Sequence, residues 1–267
     1  MGDMSDISGT ELQPGQRWST WNDTEGSQSR GPEPYPDWLV TSGAAIDTEL
    51  GLVKPGKEAA LYLIERSSTD EQRSCLLGAK RYQASVSSWT LYAQGRDMRS
   101  QRDKRALKKM STYGKALAQS EWANAEFRFL RLFWSHGVPV PYPVQIYGNE
   151  ILMEWIGDEE GHAAPQLNDV TLTSDRAEQL YTEASNAIVS MARLGYAHGD
   201  LSPFNILVRD GHIVIIDVPQ AVDIAKNPLG SSILERDCVN VARYFEQYGI
   251  GDADALFSTA ISEAWSM

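Results

Sequence analysis

The stretch that most limits how this chain can fold runs His198-Gly199-Asp200-Leu201-Ser202-Pro203-Phe204-Asn205-Ile206-Leu207-Val208, then Arg209-Asp210-Gly211-His212, then Ile213-Val214-Ile215-Ile216-Asp217. Asp-Gly between two β-branched runs is a two-residue hairpin turn, because both central positions of the favoured turn need φ > 0. With Arg209 facing His212, the pairing continues until 205 faces 216. Asn205 and Asp217 then emerge side by side at the open mouth of the hairpin, and Asp200 lies on the loop feeding that mouth. Two neighbouring oxygen-bearing side chains and a further carboxylate suit a hard cation and a proton acceptor.

The spacing matches kinase-type phosphoryl transfer: an aspartate, an asparagine five residues on, and a second aspartate after a hairpin. In that chemistry Asp200 orients the attacking hydroxyl and takes its proton. Asn205 and Asp217 hold Mg²⁺ against the β- and γ-phosphates of ATP. Upstream, Lys80 ends the apolar run Cys75–Ala79, where a kinase places the lysine that meets the α- and β-phosphates. Glu126 sits among Trp122, Ala125, Phe129 and Phe133 at helical spacing. A carboxylate on so apolar a face needs a cation, and the sequence offers Lys80 for a functional pair or Arg128 and Arg131 for a local one. Gly51 to Glu58 has the G-x-x-x-x-G-K outline of a Walker loop, but Glu58 stands where the magnesium-binding hydroxyl belongs. The apolar residues after it read as a strand, so a strand–loop–strand cover over phosphates fits better.

Along the chain, residues 1–37 are rich in Gly, Ser, Pro, Asp and Glu and read as a mostly disordered tail, in which Trp18 or Trp21 could dock on the folded body. Residues 38–153 read as a first lobe with strands at 61–64 and 75–80, a helix at about 116–135, and a hairpin of 144–147 with 150–153. Residues 154–267 form a second lobe. An amphipathic helix spans 175–194, capped by Ser174 or Asp175, and two helices near 232–248 and 252–265 close the chain. Strands first and helices later give an α+β protein of two unequal lobes, the first small and β-rich, the second mainly helical. The net charge is −12, which excludes a uniformly basic nucleic-acid-coating protein. Eight basic residues nevertheless fall in 96–115 against Asp97 and Asp103, so the rest of the chain carries −18. That segment is either a solvated loop or a contact for RNA phosphates. No run of 18 apolar residues and no signal-peptide pattern occurs, and Cys75 and Cys238 form no metal motif, so the expected location is the cytoplasm.

With these residues in place, the chain resembles the RIO family of atypical protein serine/threonine kinases from about Gly51 to Gly249. Gly56-Lys57-Glu58-Ala59 with Tyr62 is similar to that family's G-K-E-A-x-x-Y phosphate loop. The segment from Trp122 through Glu126 to Arg128 resembles its W-A-x-x-E-x-R helix, and Met153-Glu154-Trp155-Ile156-Gly157 its hinge. His198 to Asn205, including Ser202, and Ile216-Asp217-Val218 resemble its catalytic and metal-binding motifs, and Arg236-Asp237-Cys238 its R-D-C segment. The resemblance implies a two-lobed protein-kinase-like fold, ATP and Mg²⁺, and adenine contacts from the backbone of Met153, Glu154 and Ile156. It also implies a serine-type kinase or an ATPase in which Asp217 can itself accept the phosphoryl group. A short segment before Gly51 favours the subgroup without a winged helix, and the family suggests a ribosomal-particle partner in small-subunit maturation. Lys54-Pro55 departs from the family's Ser-Thr, and proline has no N–H for a phosphate. A small-molecule phosphotransferase of the aminoglycoside or choline kinase type, or a nucleotide-binding scaffold, is the alternative.

Overall fold

The computed structural model describes residues 11–24, 28–68, 70, 72–83 and 112–266, with side chains from 119 onward in the last of these stretches. The first lobe is one antiparallel sheet of β1 (Gln16–Trp18), β2 (Ile46–Lys54), β3 (Ala59–Ser68), β4 (Arg73–Tyr82), β5 (Pro143–Tyr147) and β6 (Glu150–Glu154), in the order β1-β2-β3-β4-β6-β5. Helix α1 (Thr112–Ser135) packs on one face. The second lobe holds α2 (Ser174–Arg193), β7 (Tyr196–Ala197), the hairpin β8 (Ile206–Arg209) and β9 (His212–Ile215), β10 (Val222–Asp223), α3 (Gly230–Glu246) and α4 (Ala253–Ala264). This is the expected two-lobed α+β arrangement.

Strand β4 is central, and its alternation decides what the lobe can do. Leu77 and Ala79 point to one face and Gly78, Lys80 and Tyr82 to the other. The second face meets α1, where Phe127, Phe129, Leu130 and Phe133 are buried with Tyr82, Ile151 and Met153 in the main core. The first face is covered by the chain's own N-terminal stretch, as Trp21, Leu39, Ile64, Leu77, Tyr142 and Leu152 form a second apolar cluster. Beneath it lies a charge pair. Asp47 and Arg66 face each other across β2 and β3, bonded at 2.7 and 3.0 Å, and Gln145 accepts from the same guanidinium at 3.0 Å. Arg66 is fully buried, so removing its carboxylate partner would leave a charge stranded away from water.

The reading of 1–37 as a disordered tail is corrected for the residues described. Polar composition denies this stretch a core of its own, but it orders by docking. β1 hydrogen-bonds along the β2 edge, Trp21 is 4% exposed, and the Arg30 guanidinium stacks over the Trp21 ring while donating to the Trp21 carbonyl at 2.6 Å. Most of the basic segment 96–115 lies outside the described residues, and for 112–115 only the backbone of α1 is described. The cap of α2 is Thr173, whose side chain accepts from the Arg176 N–H, rather than Ser174 or Asp175. No helix among the described residues is long and apolar enough to cross a membrane.

If docking of the N-terminal stretch is part of the fold, Trp21→Ala should cost about 3 kcal/mol in urea unfolding. A midpoint within error of wild type would show that the stretch rests on the sheet without stabilising it.

Candidate active site

The β8–β9 hairpin sets two of the site residues. Asp210 and Gly211 have φ of 50° and 80°, as a two-residue turn requires, and Arg209 pairs with His212 and Ile206 with Ile215. One step further the Ile216 N–H donates to the Asn205 carbonyl at 3.0 Å, which brings Asn205 and Asp217 out at adjacent positions. Asn205 donates from Nδ2 to the Asp200 carbonyl at 2.8 Å. That commits its amide nitrogen to the loop and leaves the amide oxygen as the atom that could meet a cation. Asp217 has φ of 64°, a left-handed conformation that costs an L-residue about 1–2 kcal/mol. Strain at the residue expected to hold the metal is where such cost is usually found.

The loop that presents Asp200 is gripped from behind. Asp237, on α3 and 1% exposed, accepts the Gly199 N–H at 2.9 Å and the Leu201 N–H at 3.0 Å. Burial pushes its carboxyl up, and the His198 ring and the two backbone donors pull against that. Arg236 donates to the Gly199 carbonyl and Asn240 to that of Leu201. Gly199 has φ of 90°, and a Cβ there would stand 2.5 Å from the Gln220 carbonyl oxygen, so only glycine fits. His198 accepts the Asp200 N–H on Nδ1 and donates from Nε2 to the Ile216 carbonyl at 3.1 Å, tying the Asp200 loop to the strand that delivers Asp217. Asp200 itself is exposed. Ser202 contributes its carbonyl to the Asn205 N–H at 2.9 Å.

Lys80 joins the two lobes. Its Nζ lies 2.7 Å from Glu126 Oε1 on α1 and 2.9 Å from Asp217 Oδ1. Burial alone would lower the ammonium's pKa, but the charges of Asp217 and Glu126 outweigh it and hold it well above the lysine range. The same ammonium holds the Asp217 carboxyl below its usual range. Burial pushes Glu126 up, and Lys80 pulls it back only in part. Arg128 and Arg131 therefore do not supply the pair; Lys80 does. Glu58, in the turn between β2 and β3, is half-buried, and burial and the Asp217 charge raise its carboxyl. Its neighbour Gly56 has room for no side chain, since a Cβ would lie 2.3 Å from the Ala59 carbonyl oxygen. Lys57 is exposed on the same turn.

At the lobe junction Met153 and Ile156 are buried. The Glu154 carboxylate is committed to structure, bonding Arg209 at 2.8 Å and the Tyr142 N–H at 3.1 Å. That leaves the backbone as its means of contacting a ligand. The donor set fits Mg²⁺ and a triphosphate: one carboxylate, one amide oxygen and one ammonium, with the remaining ligand positions left to phosphate and water. Among the described residues no three His, Cys, Asp or Glu side chains cluster as a self-sufficient metal cage, and a magnesium shared with phosphates does not need one. The sequence brought in Asp237 only through the R-D-C resemblance and gave it no role, yet it holds the Asp200 loop from behind. A carboxylate on the apolar stripe of Leu234, Cys238 and Val241 was the available signal for it.

A curled sheet whose lysine reaches a helix glutamate, set over helices and a hairpin that deliver Asp200, Asn205 and Asp217, defines the protein-kinase-like class of fold. Within that class the RIO domain family matches residues 67–256, and the chain belongs to it. It is 34% identical over 137 residues to the RIO-type serine/threonine-protein kinase Rio1 of Haloferax volcanii, covering 51% of this chain and 46% of that protein. Against the serine/threonine-protein kinase RIO1 of Caenorhabditis elegans it is 36% identical over 133 residues, 48% of this chain and 25% of the relative. The matches thus span half or less of these relatives. The Rio2 kinase–ADP/Mg²⁺–phosphoaspartate complex from Chaetomium thermophilum shares the fold, with a TM-score of 0.58 and 21% identity over 82% of this chain and 63% of that one.

Asp237→Ala leaves two buried N–H groups without an acceptor and should destabilise the protein by about 2–4 kcal/mol. Amide exchange at Gly199 and Leu201 should accelerate more than at α2. Unchanged protection at both amides would show that other contacts hold the loop.

Proposed function

We propose that the chain catalyses ATP-dependent, Mg²⁺-requiring phosphoryl transfer, as a serine/threonine protein kinase, an ATPase, or both. The observation that carries this is the single ammonium of Lys80 held between Glu126 and Asp217, with Asn205 delivered beside Asp217 by the hairpin register. In this reading Lys80 meets the α- and β-phosphates. Asn205 and Asp217 would hold Mg²⁺, which supplies charge neutralisation between the β- and γ-phosphates. Gly56, Lys57 and Glu58 cover the phosphates, and the backbone of Met153, Glu154 and Ile156 meets the adenine. Asp200, exposed and rigidly based, accepts the proton of the attacking hydroxyl. In the ATPase branch an Asp217 oxygen bonds to the γ-phosphorus, the bond to the β,γ-bridging oxygen breaks, and ADP leaves. Water then attacks the acyl phosphate and releases inorganic phosphate with the carboxylate restored. The phosphoaspartate named for the Chaetomium complex supports this branch.

The acceptor side is spare. Only residues 218–229 separate Asp217 from α3, too few for the long peptide-docking segment of ordinary protein kinases. The basic run at 96–115 supports a contact with RNA in a ribosomal particle by its charge alone. Free Cys75 and Cys238 support a reducing, cytoplasmic setting.

Purified protein should hydrolyse ATP or phosphorylate itself in Mg²⁺, and a chelator should stop it. Asp200→Ala and Asp217→Ala should each lower turnover at least about a hundredfold, with Lys80→Ala similarly impaired. Wild-type turnover in the Asp217 variant would refute the metal assignment.

A further inference from the structure

We infer that Tyr82 is a positioning residue of this site, its phenol holding the Glu126 carboxylate in the orientation that grips Lys80. The inference rests on the phosphotransfer reading and adds a residue to it. Tyr82 follows Lys80 by two positions on β4, so the two side chains leave the same face of the strand. Its hydroxyl donates to Glu126 Oε2, while Lys80 Nζ donates to Oε1 at 2.7 Å. Each oxygen of one buried carboxylate is therefore engaged by a different donor, and the carboxylate plane is fixed by both. The ammonium lies 5.5 Å from the centre of the Tyr82 ring, within range of its negative face.

The phenol stands on a fixed base. The Tyr82 N–H donates to the Asn149 carbonyl at 3.0 Å, and Asn149 Nδ2 donates back to the Tyr82 carbonyl at 2.7 Å. The turn between β5 and β6 thus clamps Tyr82 from both sides of its backbone. Burial and the Glu126 charge keep the phenol well above its ordinary range, so it remains a donor at working pH. Phenylalanine would fill nearly the same volume, which leaves the bond to Glu126 as the hydroxyl's distinct contribution. Without it Glu126 Oε2 has lost its donor in a site 2% exposed. The carboxylate must then rotate or take up a proton, and either change weakens its hold on the Lys80 ammonium.

The test uses the full chain and Tyr82→Phe, with Glu126→Gln for comparison. Acetylation of Lys80 by acetic anhydride, mapped by mass spectrometry without nucleotide, should run roughly tenfold faster in Tyr82→Phe, the order expected for losing one buried hydrogen bond to a charged group. The melting temperature should stay within a few degrees of wild type. The KM for Mg·ATP should rise by a similar factor with a smaller fall in kcat, and adding Tyr82→Phe to Glu126→Gln should have little further effect. Unchanged Lys80 reactivity in Tyr82→Phe would overturn the inference, as would full additivity of the two variants. Absence of ATP turnover in wild type would instead refute the phosphotransfer reading, and Lys80 reactivity would still decide the role of Tyr82.

Discussion

One ammonium holds three separately built parts of this protein together. Lys80 comes from the central strand of the sheet, Glu126 from the helix packed on it, and Asp217 from the end of a hairpin in the other lobe. Two carboxylates share one cation, and Glu58 brings a third acidic group within electrostatic reach. Lys54 and Lys57, at the end of β2 and in the turn after it, act on the same carboxylates, so charges of both signs meet where Lys80 joins the lobes.

The other parts of the molecule serve to hold these groups still. Asp237 and Asn240 fix the loop beneath Asp200 from α3, and His198 links that loop to the strand that ends in Asp217. Glu154 joins Arg209 of β8 to the lobe junction. The N-terminal stretch seals the opposite face of the sheet over the Asp47–Arg66 pair. That face is far from the chemistry by alternation, since Leu77 and Ala79 point one way while Lys80 and Tyr82 point the other.

The hairpin could be seen in the sequence because an Asp-Gly turn fixes its register, and register alone brings Asn205 beside Asp217. The Lys80–Glu126 pair could be seen because a carboxylate on an apolar helix face has to find a cation. In the N-terminal stretch a docking tryptophan could be seen, and Trp21 is buried, but the order of the residues around it comes from β1 pairing and the Arg30 contacts, which composition averages away. Strand β2 was implied by the strand–loop–strand reading, but its extent back to Ile46 escaped for a related reason. Its inward Asp47 breaks the apolar alternation, two irregularities interrupt its pairing with β3, and Leu50 and Leu52 are exposed. The α2 cap fell one residue early because Thr173, Ser174 and Asp175 are all competent caps and only geometry chooses among them.

The most direct measurement is a crystal structure with Mg²⁺ and a non-hydrolysable ATP analogue. Mg²⁺ should lie about 2.1 Å from the Asn205 amide oxygen and from an Asp217 oxygen, with Lys80 Nζ bonded to an α- or β-phosphate and still paired with Glu126. A nucleotide bound with its phosphates away from Lys80, or a metal held by neither Asn205 nor Asp217, would contradict the assignment of this cluster as the phosphotransfer site.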